Sequence, residues 1–359
     1  MKRRIVISGY YGFNNLGDEA VLAATVGELR RLIPDVEIAV LSAAPADTSR
    51  AYGVRGIPRS DLRTIVGVLR DCDLFLSGGG SLFQDATSWR SPWYYLALVA
   101  AARVLARHTM VYAQGIEPPR RPSVRAAMAF LLNGMDLITV RDVTSQAVLT
   151  ELGVRRPRVV LTADPSLLLT PDWSVRVAAE RARWGEGAWF GLAMRPWAGG
   201  EAVRAAGAAA RITAERLGIR WALLPMHRPG DLAACEALAA DLGEAATVVR
   251  AALGPREMLA LIGSLDLLVG MRLHALLFAA ARGVPVVPIA YDPKVTALMR
   301  DLGGPAPLSV ASLHPDEIIG VVEAAVADRS ARRTRLLAAV APLRERAALA
   351  PALAADLLR

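Results

Sequence analysis

An α/β architecture with two domains in tandem is predicted by three observations on this 359-residue chain. Short apolar runs ending in Gly, Ser, Asn or Asp alternate with helical patterns throughout. A polar break at Thr170-Pro171-Asp172 is followed by a fresh start of the same alternation. The length suffices for two cores of ordinary size. Runs this short and this uniformly apolar suit strands buried on both faces, the environment of a parallel sheet covered by helices on either side.

In the first half, residues 4–8, 37–41, 74–77, 110–113, 137–140 and 159–162 read as strands, with residues 20–32 and 123–133 as helices between them. In the second half, residues 189–194, 221–225, 247–249, 265–269 and 284–290 read as strands, and 276–281 as a helix. The predicted organisation is a Rossmann-like domain over 1–170, a second over 171–330, and a helical tail over 331–359, broken at Pro342 and Pro351, that packs back on the core.

At 53% hydrophobic and 21% charged, the composition is that of a soluble globular protein. The basic start MKRR is followed by only three apolar residues, too few for a secretion signal. The greasiest stretches, 96–106 and 275–291, are interrupted by Arg103 and by Arg282, Gly283 and Pro285, so no membrane span is expected. Cys72 and Cys235 lack metal-ligand spacing, which favours a reducing compartment, the cytoplasm, and argues against a zinc site. The net charge of +8 comes from 40 Arg and two Lys. No basic run is interleaved with aromatics, so nucleic acid is not an expected partner, whereas an anionic substrate or membrane surface is compatible. Where nearly every cation is Arg, the interior Lys294 marks a site suited to a point charge.

Ligands of open α/β sheets gather beyond the carboxyl ends of the strands. After the first strand comes GYYGFNNLGDEAVL, residues 9–22. It is not GxGxxG, and the second strand ends Val40-Leu41-Ser42 without the acid that would hold an NAD ribose, so a dehydrogenase is excluded. Asp18 and Glu19 stand at a helix start, where the dipole favours a phosphate and two carboxylates oppose one. Two readings remain: Asp18 caps the helix with Glu19 in its first turn, or the loop faces a hydroxyl-rich ligand that a carboxylate can deprotonate. Ser77-Gly78-Gly79-Gly80-Ser81 allows a ligand or another backbone to approach closely, and Phe83, Gln84, Asp85, Trp89, Trp93, Tyr94 and Tyr95 supply groups suited to a sugar or to a core edge.

In the second domain, Gly270-Met271-Arg272-Leu273-His274 joins a strand to a helix. Arg272 and His274 fall in the first turn, where the dipole, free N–H groups and a guanidinium can converge on one anion. The structural alternative puts Arg272 in an ion pair and His274 at the cap. Lys294 closes the next strand, and Arg141 closes a strand of the first domain.

These segments, with SGGGSLFQDATS (77–88), AQGIEPP (113–119), VRD (140–142) with its following Ser145, ADPS (163–166), MRLHALLFAAARGVP (271–285) and YDPKV (291–295), resemble the polysaccharide pyruvyl transferase family, and within it the bacterial members acting on secondary cell-wall polymers. Glu117 and Pro119 replace more usual small or apolar residues, and Ser81 replaces a fourth glycine. The resemblance implies a GT-B-like fold of two facing Rossmann-like domains with the active site in the interdomain cleft. It implies transfer of pyruvate from phosphoenolpyruvate to a sugar as a cyclic ketal, on the 4- and 6-hydroxyls of an N-acetylmannosamine unit of a lipid-linked precursor, with no metal or redox cofactor. Carried over residue by residue, it assigns Arg141, Arg272, Leu273, His274 and Lys294 to phosphoenolpyruvate; the chemistry of that donor makes His274, beside a bound phosphate, the expected proton donor. Asp18 or Glu19 would be the base, and Gly12, Asn15, Asp18, Gly79, Gly80, Gln84 and Asp85 the acceptor surface. A peripheral position at the cytoplasmic membrane face is compatible with such an acceptor. The alternatives are a GT-B glycosyltransferase using a nucleotide sugar and a non-catalytic sugar-phosphate binding protein.

Overall fold

The computed structural model describes residues 2–85 and 88–359 of the chain; Met1, and Ala86 and Thr87 of the motif at 77–88, lie outside the described residues. It divides into two compact units, Met1–Leu169 with Leu343–Arg359, and Thr170–Pro342.

In the first unit the order is β1 (Arg4–Ser8), α1 (Leu16–Leu32), β2 (Glu37–Ser42), α2 (Pro45–Tyr52), β3 (Arg55–Pro58), α3 (Leu62–Arg70), β4 (Leu74–Ser77), α4 (Ser91–Leu105), β5 (His108–Gln114), α5 (Pro122–Leu132), β6 (Leu137–Val140), α6 (Val143–Glu151) and β7 (Arg158–Leu161). The seven strands are parallel in the order β3-β2-β1-β4-β5-β6-β7. Leu74–Ser77 and Leu137–Val140 are buried at every position, as strands covered on both faces must be. Strand β3 escaped the sequence reading: RGIP is short, carries Gly and Pro, and forms the sheet edge, where those residues are tolerated.

The second unit continues with α7 (Val175–Ala182), β8 (Trp189–Ala193), α8 (Glu201–Leu217), β9 (Arg220–Leu223), α9 (Gly230–Leu242), β10 (Ala246–Val248), α10 (Pro255–Ile262), β11 (Leu267–Gly270), α11 (Leu273–Ala281), β12 (Val286–Ala290), α12 (Pro293–Asp301), β13 (Leu308–Ser309) and α13 (Pro315–Ala327). Its six parallel strands run β10-β9-β8-β11-β12-β13.

Where the sequence reading ends the second domain at residue 330, the second unit runs on to Pro342, inside α14 (Arg329–Ala347). Helix α15 (Leu349–Asp356) belongs to the first unit: Ala350, Ala354, Ala355 and Leu358 are buried among Ile5, Ile7 and Leu22. Burying Leu358 alone contributes about 2 kcal/mol. The Arg346 guanidinium fastens this segment by donating to the Thr162 carbonyl at 2.8 and 3.2 Å. No described helix is long and apolar enough to cross a membrane.

In each sheet the chain reverses its direction of winding at one place, between β1 and β4 and between β8 and β11. Loops on either side of such a point diverge and leave a crevice at the strand ends.

Candidate active site

The crevice of the first unit is bounded by the loops after β1 and β4. Asn15, not Asp18, caps α1: its side chain accepts from Gly17 N at 3.1 Å. An Asn in extended conformation is a preferred cap, so the capping reading of Asp18 is replaced. Glu19 reaches back, accepting 2.7 Å bonds from the Gly12 N–H and from the Tyr52 hydroxyl. Gly12 has φ +77°, a left-handed conformation in which a side chain would be strained, and an added Cβ there would also overlap Ser42 and Ala44. Glu19 is therefore a brace for the loop. Burial raises its carboxyl above the ordinary range, opposed by the bonds from Tyr52 and Gly12.

The triple glycine seats α1 against β4. A Cβ on Gly78 would lie 2.7 Å from the Tyr11 hydroxyl, and one on Gly79 would overlap Val21 Cγ1. A Cβ on Gly80 would lie 2.8 Å from Asp18 Oδ1. What approaches these glycines is thus the neighbouring helix and its loop. Asp18 is half-buried beside Gly80, and its charge raises the hydroxyls of Tyr10, Tyr11 and Tyr95, in each case behind burial and, for Tyr10 and Tyr95, against the lowering influence of Arg59.

Asp85 is spent on structure. Its two oxygens accept from Arg120 N at 2.8 Å and Arg121 N at 2.9 Å, and the Arg121 guanidinium stands 3.7 Å away. Burial pushes this carboxyl up, but those bonds and that charge outweigh it and hold it below its ordinary value. Gln84 beside it is half-buried. The fully buried Gln114 ties the β4 loop to β5, donating to Ser77 O at 3.0 Å and Ser77 Oγ at 2.9 Å. It is aimed there by an irregularity in β5, where Ala113 has φ +44°. Arg141, 7% exposed at the end of β6, lies 3.3 Å from Asp164 and 3.6 Å from Asp142, and covers Gly115 so closely that a Cβ there would meet Nη2 at 2.6 Å. Of the predicted acceptor residues, Gly12, Asn15, Gly79 and Asp85 thus have structural duties. Asp18 and Gly80 meet at the crevice.

In the second unit, β8, β11 and β12 are neighbours, with Ala193 opposite Gly270 and Gly270 opposite Pro288. Adjacent strands lie about 4.8 Å apart, so Arg195, Arg272 with His274, and Lys294 follow three neighbouring strand ends. The ion-pair alternative for Arg272 is what forms. Its Nε donates to Asp231 Oδ2 at 2.8 Å and its Nη2 to Asp231 Oδ1. Asp231 is wholly buried and also accepts from His227 N at 2.9 Å. A two-pronged pair of this kind fixes the guanidinium plane, and Nη1 takes no part in it. Arg272 is also the N-cap residue of α11, so His274 and Leu273 stand in the first turn; the His274 ring meets Phe278 edge-on at 6.4 Å.

Lys294 donates through Nζ to Asp292 at 3.0 Å and lies 5.4 Å from the Tyr291 ring centre. On the same ring sits Arg195, at 4.9 Å, which is also 5.2 Å from Trp197. Arg195 joins the set on geometry; its place at a strand end was the sequence signal. Asp231 had none, because nothing around it in the chain announces a partner 41 residues away. Three cations thus gather at these strand ends, with Asp231 beside Arg272 and Asp292 beside Lys294. Among the described residues, no group of three or more His, Cys, Asp or Glu is placed to hold a metal ion.

Known proteins can be set against this geometry. A Listeria monocytogenes protein assigned as a UDP-N-acetylglucosamine 2-epimerase is 13% identical, with 97% of this chain and 94% of that one covered and a TM-score of 0.70. Alr3699/HepE of Anabaena, solved with UDP and glucose, is 14% identical over 99% and 98%, TM-score 0.66. The UDP-GlcNAc 2-epimerase of Neisseria meningitidis, bound to UDP-GlcNAc, is 11% identical over 100% and 99%, TM-score 0.65. At these identities the likeness carries the fold alone, which is GT-B-like, two α/β units with parallel sheets. No curated protein matches the chain. The sequence profile of the family described as Polysaccharide pyruvyl transferase matches residues 15–293.

Proposed function

Because the chain belongs to the polysaccharide pyruvyl transferase family, whose enzymes transfer pyruvyl groups, we propose that it moves pyruvate from phosphoenolpyruvate onto two hydroxyls of one sugar as a cyclic ketal, releasing phosphate. The observation that carries the reading is the set of strand-end groups Arg195, Arg272 and His274 within the matched segment, with Lys294 one residue beyond its end. Arg272 and Lys294 bind the carboxylate and phosphate, while Leu273 lines the site with its backbone at the helix start. Arg272 offers the guanidinium edge that Asp231 leaves uncovered.

A proton from His274 goes to the methylene carbon, which becomes the methyl group. The central carbon, now cationic, takes the oxygen of the first sugar hydroxyl, whose proton passes to a base. Phosphate departs with the C–O electron pair, and the second hydroxyl adds to the same carbon, its proton leaving in turn. One hydroxyl proton balances the new methyl hydrogen, and the other leaves with phosphate. Phosphate beside His274 favours the protonated imidazole, and the fixed cations stabilise the departing charge. Asp18 or Glu19 is the base in this reading, and Gly80 and Gln84 border the acceptor. The acceptor proposed is an N-acetylmannosamine unit on a lipid-linked cell-wall precursor, acting without a metal or redox cofactor.

A second reading, a sugar transferase using a nucleotide sugar, is favoured by the fold likeness to proteins solved with UDP, UDP-glucose and UDP-GlcNAc. The same cations would then hold a diphosphate. Calorimetry of phosphoenolpyruvate against UDP-sugars separates the two, and mass spectrometry of a synthetic acceptor incubated with phosphoenolpyruvate tests the product. Binding of UDP-sugars alone, with no pyruvylated acceptor, would replace the first reading by the second.

A further inference from the structure

Helices α3, α4, α5 and α6 cover one face of the first sheet, burying Ile65, Leu96, Met128 and Leu149 in a common cluster. A surface helix is ordinarily polar on the side away from its sheet. The outward side of α4 is not. At spacings that share one helical face, Trp93 is 39% exposed, Ala97 is exposed and Val104 is 82% exposed. The neighbouring α5 turns Ala126 and Phe130 outward, the latter 73% exposed, and Trp89, just before α4, is 55% exposed. Large apolar side chains gathered on adjacent helices make a patch that folding alone leaves unexplained.

The charge over this stretch is predominantly positive. Residues 88–135 hold six arginines, Arg90, Arg103, Arg107, Arg120, Arg121 and Arg125, and a single acid, Glu117. Arg121 is paired with the buried Asp85. Arg103 and Arg90 lie over the exposed rings, 5.6 Å from Phe130 and 5.1 Å from Trp89. Aromatic rings interleaved with arginine, on helices whose outer side is apolar, match the chemistry of a bilayer interface, where rings enter the headgroup layer and guanidinium groups meet anionic headgroups. A second copy docking by a two-fold would set these arginines against the same arginines.

We propose that the α4–α5 face of the first unit docks on the surface of an anionic phospholipid bilayer. The proposal goes beyond the transfer chemistry and does not depend on it. Its test is co-sedimentation of the full chain with vesicles of phosphatidylglycerol mixed with phosphatidylcholine, beside vesicles of phosphatidylcholine alone. Partitioning to the anionic vesicles should exceed that to neutral ones by about tenfold and fall as salt shortens the screening length. Trp93→Ser/Phe130→Ser and, separately, Arg90→Glu/Arg107→Glu should each lower it by at least about fivefold while circular dichroism and melting keep the fold intact. Equal partitioning to both compositions, no partitioning to either, or partitioning unchanged in both variants would overturn it. So would a lipid-free dimer that Trp93→Ser/Phe130→Ser dissolves, which would make the face a contact between copies.

Discussion

Asp231→Asn perturbs the group that aims Arg272. In the native pair a fully buried carboxylate receives two N–H groups of a guanidinium whose side chain is 13% exposed, and the His227 N–H as well. With an amide there, one oxygen remains to accept, the NH2 faces Arg272 donor to donor, and the arginine keeps its charge without a counter-ion. Removing one partner of a buried pair costs about 3–5 kcal/mol; the part of Arg272 that reaches solvent places the expected loss at the low end, about 3 kcal/mol. Chemical denaturation reads that loss, and calorimetry should show phosphoenolpyruvate affinity falling about tenfold or more, since the guanidinium plane is no longer set. Asp231→Asn/Arg272→Gln separates stability from binding. A neutral amide pair should recover most of the stability, with a coupling of about 2 kcal/mol, while donor binding stays lost. If Asp231→Asn costs less than about 1 kcal/mol and leaves donor affinity unchanged, Asp231 does not position Arg272 and the reasoning fails.

His274→Gln should lower turnover about a hundred- to ten-thousandfold while phosphoenolpyruvate affinity stays within about tenfold, and near-native turnover would remove the proton-donor role. Gly79→Ala should destabilise by about 1–3 kcal/mol through overlap with the stiff Val21, and Val21→Ala in the same chain should relieve the overlap; strictly additive losses would mean the glycine is there for something other than packing. Glu19 has a folded pKa above its ordinary value, so the folded chain holds that proton more tightly than the unfolded one, and stability should fall as pH rises from the ordinary carboxylate range through the raised value. Glu19→Gln should flatten that part of the melting-temperature profile, whereas a parallel profile would show that the burial cost lies elsewhere. Asp18→Asn should keep the melting temperature and donor affinity and lose transfer; active Asp18→Asn would leave the base to be sought among other groups.

Fold class, the break near residue 170 and the strand ends carrying Arg141, Arg272, His274 and Lys294 were determined by the sequence alone. The signals behind them, apolar runs closed by Gly, Ser or Asp and a strand-loop-helix order, are local and survive without knowledge of any partner. The edge strand β3 was lost because four residues containing Gly and Pro carry too little apolar pattern. Only the tertiary structure decided what each charged group is paired with. Asp18 and Glu19 are adjacent in the chain and alike in chemistry, yet Tyr52, 33 residues on, and Gly12 claim Glu19, while Asp18 faces Gly80. Arg272 reads first as an anion ligand, with an ion pair as the alternative, until Asp231 comes to it from 41 residues away. Pairing energies depend on distance and burial, which are set by the packing of whole elements, so two neighbouring carboxylates alike in sequence terms part roles once the fold gives each its own surroundings.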